Sequence, residues 1–336
     1  MLNNNDPRRL KLERWLDEET DLAVERIEPA SADASFRRYF RVHAARGSYI
    51  VMDAPPERED CTSFVRIAGY LETIGLSAPR VLAADEAAGF LLLSDLGERQ
   101  FLDEIRAAPE RVDALYGDAL AALLALQARG VRFQSQLPPY DETLLRDELA
   151  LFHDWLCERY LGIRFSRRDE RQWQKTCDVL VAAALLQPRV FVHRDFHSRN
   201  LMVRDEGNPG ILDFQDAVEG PYTYDLVSLL KDCYLELPAD KVKSLALTYL
   251  QRASAFLPRA PGDDAFLASF ELMGVQRHLK AAGIFARLDL RDGKSAYLDD
   301  VPRTLGYITA LGDRHAGLAF VIDLIATRCL PGMVRS

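Results

Sequence analysis

Asp195 stands five residues before Asn200 in Phe191-Val-His-Arg-Asp-Phe-His-Ser-Arg-Asn200, and Asp213 follows in Ile211-Leu-Asp-Phe214. The first two side chains belong on a short loop, and the third comes directly after an apolar strand. Together they offer one base and two hard oxygen ligands. Phosphoryl transfer from a Mg²⁺-bound nucleotide needs that set: a carboxylate to orient a hydroxyl and accept its proton, and two oxygens for the metal. At ordinary residue frequencies His-x-Asp-x-x-x-x-Asn arises by chance in about one per cent of chains this long. The flanking apolar runs lower that figure, so the segment reads as a site.

The elements that must carry these residues follow from hydrophobic periodicity. Residues 7–25 read as an amphipathic helix with Leu10, Trp15, Leu16 and Leu22 on its apolar side. Strands are predicted at 36–42 and 49–52, then a helix from Thr62 to Ile74, then a strand pair at 81–83 and 90–93. These make a small antiparallel sheet with one inserted helix. Beyond Gly97 helical spacing dominates, at 109–128, 141–161, 169–186, 222–236, 240–256, 264–287, 301–312 and 315–328. Three short β-like runs at 189–192, 201–203 and 210–212 interrupt it, and the candidate residues lie on the loops bounding them. The expected fold class is α+β: a β-rich lobe over 1–94, a hinge at 95–97 and a larger helical lobe over 98–336, with a cleft between the lobes.

Bulk composition narrows the partners. The 336 residues carry a formal charge of −9, which argues against nucleic acid or an acidic membrane surface as partner. A phosphate donor must then be held by local cations and a metal. Cys61, Cys157, Cys177, Cys233 and Cys329 show no framework spacing and suit a reducing compartment. The N-terminus has no apolar signal region, and no apolar run approaches the roughly 18 residues of a membrane span. A cytoplasmic monomer is expected.

The chain resembles the aminoglycoside phosphotransferase and choline kinase branch of the protein-kinase-like fold. The resemblance rests on the central segment and on Ala34-Ser-Phe-Arg-Arg-Tyr-Phe-Arg41, Val51-Met-Asp-Ala-Pro-Pro56, Leu92-Leu-Ser-Asp-Leu-Gly97 and Gln276-Arg-His-Leu-Lys280. Within that branch it is most similar to the bacterial cell-wall recycling kinases that phosphorylate N-acetylmuramate and N-acetylglucosamine at the C1 hydroxyl. The resemblance implies ATP as co-substrate and Mg²⁺ as cofactor, with a small amino sugar as acceptor. It makes Asp195 the catalytic base, Asn200 and Asp213 the metal ligands, and His193 a brace for the catalytic loop. Asp225 would hydrogen-bond the loop backbone, and the backbone of Ser94, Asp95 and Leu96 would meet the adenine edge.

Departures from the kinase pattern shape the remaining expectations. Met52 or Asp53 stands where such sheets carry a phosphate-binding Lys, and Phe64 where the following helix carries its Glu partner. An arginine is expected to take over, with Arg37 and Arg38 ahead of Arg41 because alternation cannot aim all three inward. Ser35 would serve in a phosphate loop that lacks the glycine-rich form. Arg194 stands where many antibiotic kinases carry Gly, which disfavours antibiotic acceptors. On the acceptor side His197, Asp216, Glu219, Tyr224, Arg277 and His278 are candidates. His197 reads equally as a loop cap, and Gln276-Arg277-His278 reads first as an exposed helix face. Arg277 could pair with the lactyl carboxylate of N-acetylmuramate. The same chemistry on choline, homoserine, an aminoglycoside or another sugar stays open, as does a silent pseudokinase.

Overall fold

The computed structural model describes residues 6–32 and 36–334. The chain divides into two compact units, Met1–Arg99 with Met202–Asp216, and Gln100–Leu201 with Ala217–Ser336. The second unit thus starts at Gln100 and lacks 202–216, a stretch the sequence reading had run into the helical lobe.

The first unit opens with α1 (Pro7–Glu19), started by Asp6, whose carboxylate caps the amides of Arg8 and Arg9, with Pro7 in the first turn. It buries Leu12, Trp15 and Leu16 rather than the expected Leu10, which is 52% exposed. Five antiparallel strands follow: β1 (Val24–Ala32), β2 (Arg38–Ala44), β3 (Gly47–Asp53) and, after helix α2 (Thr62–Thr73), β4 (Val81–Asp85) and β5 (Phe90–Ser94). Their order in the sheet is β1-β2-β3-β5-β4. Alternation puts Phe40, Val42, Val51, Phe90 and Leu92 into one core with α1, where Trp15 packs on Phe90 at 5.8 Å between ring centroids. The sequence reading missed β1. Pro29 and its charged residues disguise it, and an edge strand with an irregular register tolerates both.

Asp53 occupies the last position of β3, paired across the ladder with Arg38. Its carboxylate is fully buried. Arg8 of α1 donates to one oxygen, with Nε at 2.8 Å, and Arg38 donates to the other, with Nε at 2.9 Å. Asp6 takes a further bond from Arg38. Position 53, where a lysine was expected, therefore carries the opposite charge and ties α1 to the sheet. Phe64, in place of the glutamate, stacks at 4.7 Å on Phe214. An apolar contact has replaced the ion pair.

The second unit is helical: α3 (Phe101–Ala107), α4 (Val112–Gln134), α5 (Glu142–Leu151), which runs on as a π-helical stretch over Phe152–Tyr160, and α6 (Arg167–Leu185). Strand β6 (Arg189–Val192) leads into the loop that carries Asp195. The two-residue strands β7 (Leu201–Met202) and β8 (Gly210–Ile211) form a small pair; β8 belongs to the first unit, within which the Ser77 carbonyl accepts the Ile211 amide at 2.7 Å. β9 (Val218–Pro221) pairs antiparallel with β6. Helices α7 (Tyr224–Leu230), α8 (Ala239–Ala253), α9 (Asp263–Asp292) and α10 (Val301–Thr309) complete the scaffold. α9 is 30 residues long, about 45 Å. At Gly283 it approaches the backbone of Leu151 so closely that a Cβ would lie 2.3 Å from the carbonyl carbon. The π stretch begins at that crossing. One segment departs from the sequence expectation: Ala316–Met333 is long and apolar enough for a membrane span by length and composition alone, because only two charged side chains interrupt it. It is built of short helical pieces, and 28% of it is buried.

Replacing Asp53 with Ala strands two guanidinium groups that now share a buried carboxylate. Because Arg8 and Arg38 are themselves partly exposed, the loss should be about 2–3 kcal/mol, against less than about 0.5 kcal/mol for Glu13→Ala in the surface pair with Arg9. Urea denaturation of both variants measures the difference.

Candidate active site

β6 ends at Val192, and the next residues abandon extended geometry. Arg194 adopts φ +80° and Asp213 φ +61°, the only non-glycine residues with positive φ among those described. Each such position costs on the order of 1–2 kcal/mol and persists only where the surroundings enforce it. Both strained positions touch the expected machinery in sequence, one just before Asp195 and the other at Asp213 itself.

Asp225, fully buried at the start of α7, enforces the first of them. Its carboxylate accepts the amide of His193 at 2.6 Å and that of Arg194 at 2.9 Å. The Arg194 carbonyl accepts a bond from Ser228 Oγ one turn along α7. Asp195 then donates its amide to His193 Nδ1 at 3.2 Å, which makes His193 a buried strut. Asn200 folds back over the loop, its Nδ2 donating to the Asp195 carbonyl at 3.0 Å. With the nitrogen committed, Oδ1 is the atom the amide offers a hard cation. Asp213 shares one oxygen with Gln215 Nε2 at 2.8 Å. Both side chains thus have the donor chemistry of Mg²⁺ ligands.

A second buried carboxylate, Asp232, holds the far side of the loop. It accepts the Ser198 amide at 2.9 Å and the Ser198 hydroxyl at 2.5 Å on one oxygen, and the Tyr234 amide at 2.8 Å on the other. The sequence reading missed it, because Asp232 lies past the last residue of α7 and belongs to no periodic pattern.

Around Asp195 the second unit buries charge. Glu148 of α5 accepts from Arg194, from Lys280 at 2.9 Å, from Gln276 at 2.9 Å and from the Tyr140 hydroxyl. Lys280 also donates to the Tyr224 hydroxyl at 2.9 Å. Burial by itself would raise the Asp195 pKa, but the charges of Lys280, His197, Arg194 and Arg277 outweigh it and hold the group at about 2. Asp195 is therefore ionised throughout the physiological range. Its contribution to stability is present above the ordinary aspartate value of 3.8 and is lost as pH falls through about 2.

Several expected residues take other places. Glu219 lies on β9 with its carboxylate on Gln134 Nε2 at 2.7 Å and beside Arg189, so it is an outer ion-pair member instead of an acceptor contact. Tyr224 is fully buried, edge-on to Tyr140 at 5.4 Å, and serves the core. His278 stacks on Tyr307 at 4.8 Å with Nε2 against the Lys231 carbonyl at 2.9 Å, and burial pushes its pKa to about 3. It is neutral and cannot supply the expected cation. Asp216 is exposed. His197 and Arg277 are buried, each with a ring or guanidinium nitrogen that finds no hydrogen-bond partner. Gln276-Arg277-His278, expected as an exposed face, is buried at all three positions, and so is Lys280.

In the first unit Ser35 lies outside the described residues. The three arginines expected to bind phosphate are all in ion pairs: Arg37 with Glu59, Arg38 with Asp6 and Asp53, and Arg41 with Asp95 and Glu98. The expected arginine clamp is thus neutralised by carboxylates that the strand pattern does not reveal. Ser94 donates its amide to the Arg80 carbonyl, which leaves Asp95 and Leu96 to supply any backbone edge there.

Residues 26–265 match the phosphotransferase enzyme family. The chain belongs to this family. Three of its relatives are named N-acetylmuramate/N-acetylglucosamine kinase. The protein from Pseudomonas aeruginosa is 49% identical over 300 residues, 89% of this chain and 87% of that protein. The one from Pseudomonas putida is 43% identical, covering 96% and 97%. The one from Neisseria meningitidis is 42% identical, covering 95% of each. Among solved structures, the gentamicin complex of an aminoglycoside phosphotransferase, APH(2")-IIa, superposes with TM-score 0.62 at 14% identity, over 91% of this chain and 97% of that one. A choline kinase from Streptococcus pneumoniae gives 0.62 at 12%, over 90% and 98%. At such identities the likeness establishes the kinase-like fold, as the family membership requires.

Two variants probe the buried carboxylates. Burial raises the Asp225 pKa to about 7, against the two amide bonds that favour its ionised form. A carboxyl group with a raised folded pKa stabilises fully below about pH 4 and progressively less as pH rises to about 7. Asp225→Asn should therefore flatten the decline of Tm between pH 5 and 8, as differential scanning calorimetry can show. Asp232→Ala frees the Ser198 side of the loop. It should lower kcat about 100-fold while the KM for ATP moves less than about three-fold. Steady-state kinetics on the folded variant decides it.

Proposed function

We propose that the chain is an ATP- and Mg²⁺-dependent amino-sugar kinase that phosphorylates the C1 hydroxyl of N-acetylmuramate and N-acetylglucosamine. Identity of 42–49% to three proteins of that name, over most of every chain, carries this reading. Asp195 orients the acceptor hydroxyl and takes its proton. At a pKa of about 2 it is a weak base, which suits a loose transition state in which the proton leaves late. An anomeric hydroxyl is more acidic than an ordinary alcohol, and the mismatch shrinks accordingly. Asn200 and Asp213 would hold Mg²⁺, which would supply charge neutralisation on the nucleotide phosphates. Arg37 or Arg38 can join only by exchanging a carboxylate partner for phosphate. Asp95 and Leu96 supply the backbone edge for adenine.

Buried cations at Arg277 and Lys280 disfavour a cationic acceptor such as choline or an aminoglycoside. The strained backbone at Arg194 and Asp213 disfavours a silent scaffold, which would gain stability by relaxing it. Five cysteines that are all free and buried suit a reducing compartment such as the cytoplasm.

Incubation with Mg-ATP and a panel of amino sugars, followed by ³¹P and proton NMR, should place the new phosphate on C1 of both sugars. Asp195→Asn should reduce turnover at least about 1,000-fold with the fold intact. Phosphate on another hydroxyl, or turnover unchanged in the variant, contradicts the assignment.

A further inference from the structure

We infer that Arg277 reads an anionic substituent on the acceptor, so that the site favours the carboxylated amino sugar over the uncarboxylated one. The inference rests on the acceptor reading above and deepens it. Arg277 projects from α9 and is 5% exposed. Buried guanidinium groups are ordinarily held by carboxylates, because an unpaired charge in a protein interior is costly. The neighbouring cations obey this rule, since Arg194 and Lys280 share Glu148. Arg277 does not. No carboxylate lies within ion-pair distance of it among the described residues, and its hydrogen-bond contact is the thiol of Cys233, 3.6 Å from Nη1. Its Nε has no partner.

Its surroundings give this cation a purpose. Its charge acts on the Asp195 carboxylate and on the His197 ring, so the three groups share one electrostatic neighbourhood. His197 Nδ1 is likewise buried and unpartnered. A hydroxyl oriented by Asp195 therefore belongs to a molecule whose other polar groups meet these two side chains. The two sugars in the relatives' names differ by one group, the lactyl ether of N-acetylmuramate, which ends in a carboxylate. A planar guanidinium matches that group by paired N–H bonds, which a point charge does not reproduce.

The test compares kcat/KM for N-acetylmuramate with that for N-acetylglucosamine in the full-length wild type, in Arg277→Met and in Arg277→Lys. The ratio should fall at least about ten-fold in Arg277→Met, with Arg277→Lys between the two. Equal losses for both sugars would show a merely structural role and overturn the inference. Should Arg277→Met fail to fold, the wild type is assayed with the carboxamide of N-acetylmuramate. A rate no better than that of N-acetylglucosamine supports the inference, and a rate equal to that of the free acid overturns it. A wild type that phosphorylates neither sugar removes the acceptor reading itself, and this inference with it. Phosphorylation of both sugars without discrimination at Arg277 removes the inference alone.

Discussion

The carboxylate of Asp225 is the contact on which the candidate site depends. It receives two consecutive amides, His193 and Arg194, and in doing so holds Arg194 at a backbone angle that an L-residue otherwise avoids. That turn aims Asp195, and everything asked of Asp195 is asked of its position. These two hydrogen bonds are the contacts that hold Arg194 against its backbone strain. Asp232 does the same for the other side of the loop through Ser198. Two buried carboxylates, one at the start of α7 and one just beyond its end, thus fix one loop.

Electrostatics around the loop follows from helix packing. α5 brings Glu148 and α9 brings Gln276, Arg277 and Lys280 into one interior. The close approach at Gly283 shows how tightly these helices meet. Burial alone would favour a protonated Asp195, and only the cations of the same interior keep it ionised. Glu148 balances two of those cations. Arg277 is left without such a partner, and that asymmetry separates it from its neighbours.

Much of this was legible in the sequence. His-x-Asp-x-x-x-x-Asn and the following Asp-Phe are local patterns whose chemistry is written in residue type and spacing, and most helices and strands follow from periodicity. What escaped is long-range. Asp53 looked like a defect in a lysine position, because nothing local reveals that Arg8, 45 residues earlier, will reach it. The arginines at 37, 38 and 41 looked available because their carboxylate partners lie 15 to 57 residues away or across a turn. Gln276-Arg277-His278 looked like a solvent face, since polar residues in a helix usually are. The overlooked signal was that polar positions 276, 277, 278 and 280 cannot all share one exposed stripe.

Amide hydrogen exchange at the loop tests the central claim most directly. If Asp225 and Asp232 hold the loop as described, the amides of His193, Arg194 and Ser198 exchange as slowly as those of Phe191 and Val192 in β6. In Asp225→Ala, His193 and Arg194 should lose that protection before β6 does. Exchange of these three amides in the wild type at the rate of open loop positions would contradict the account.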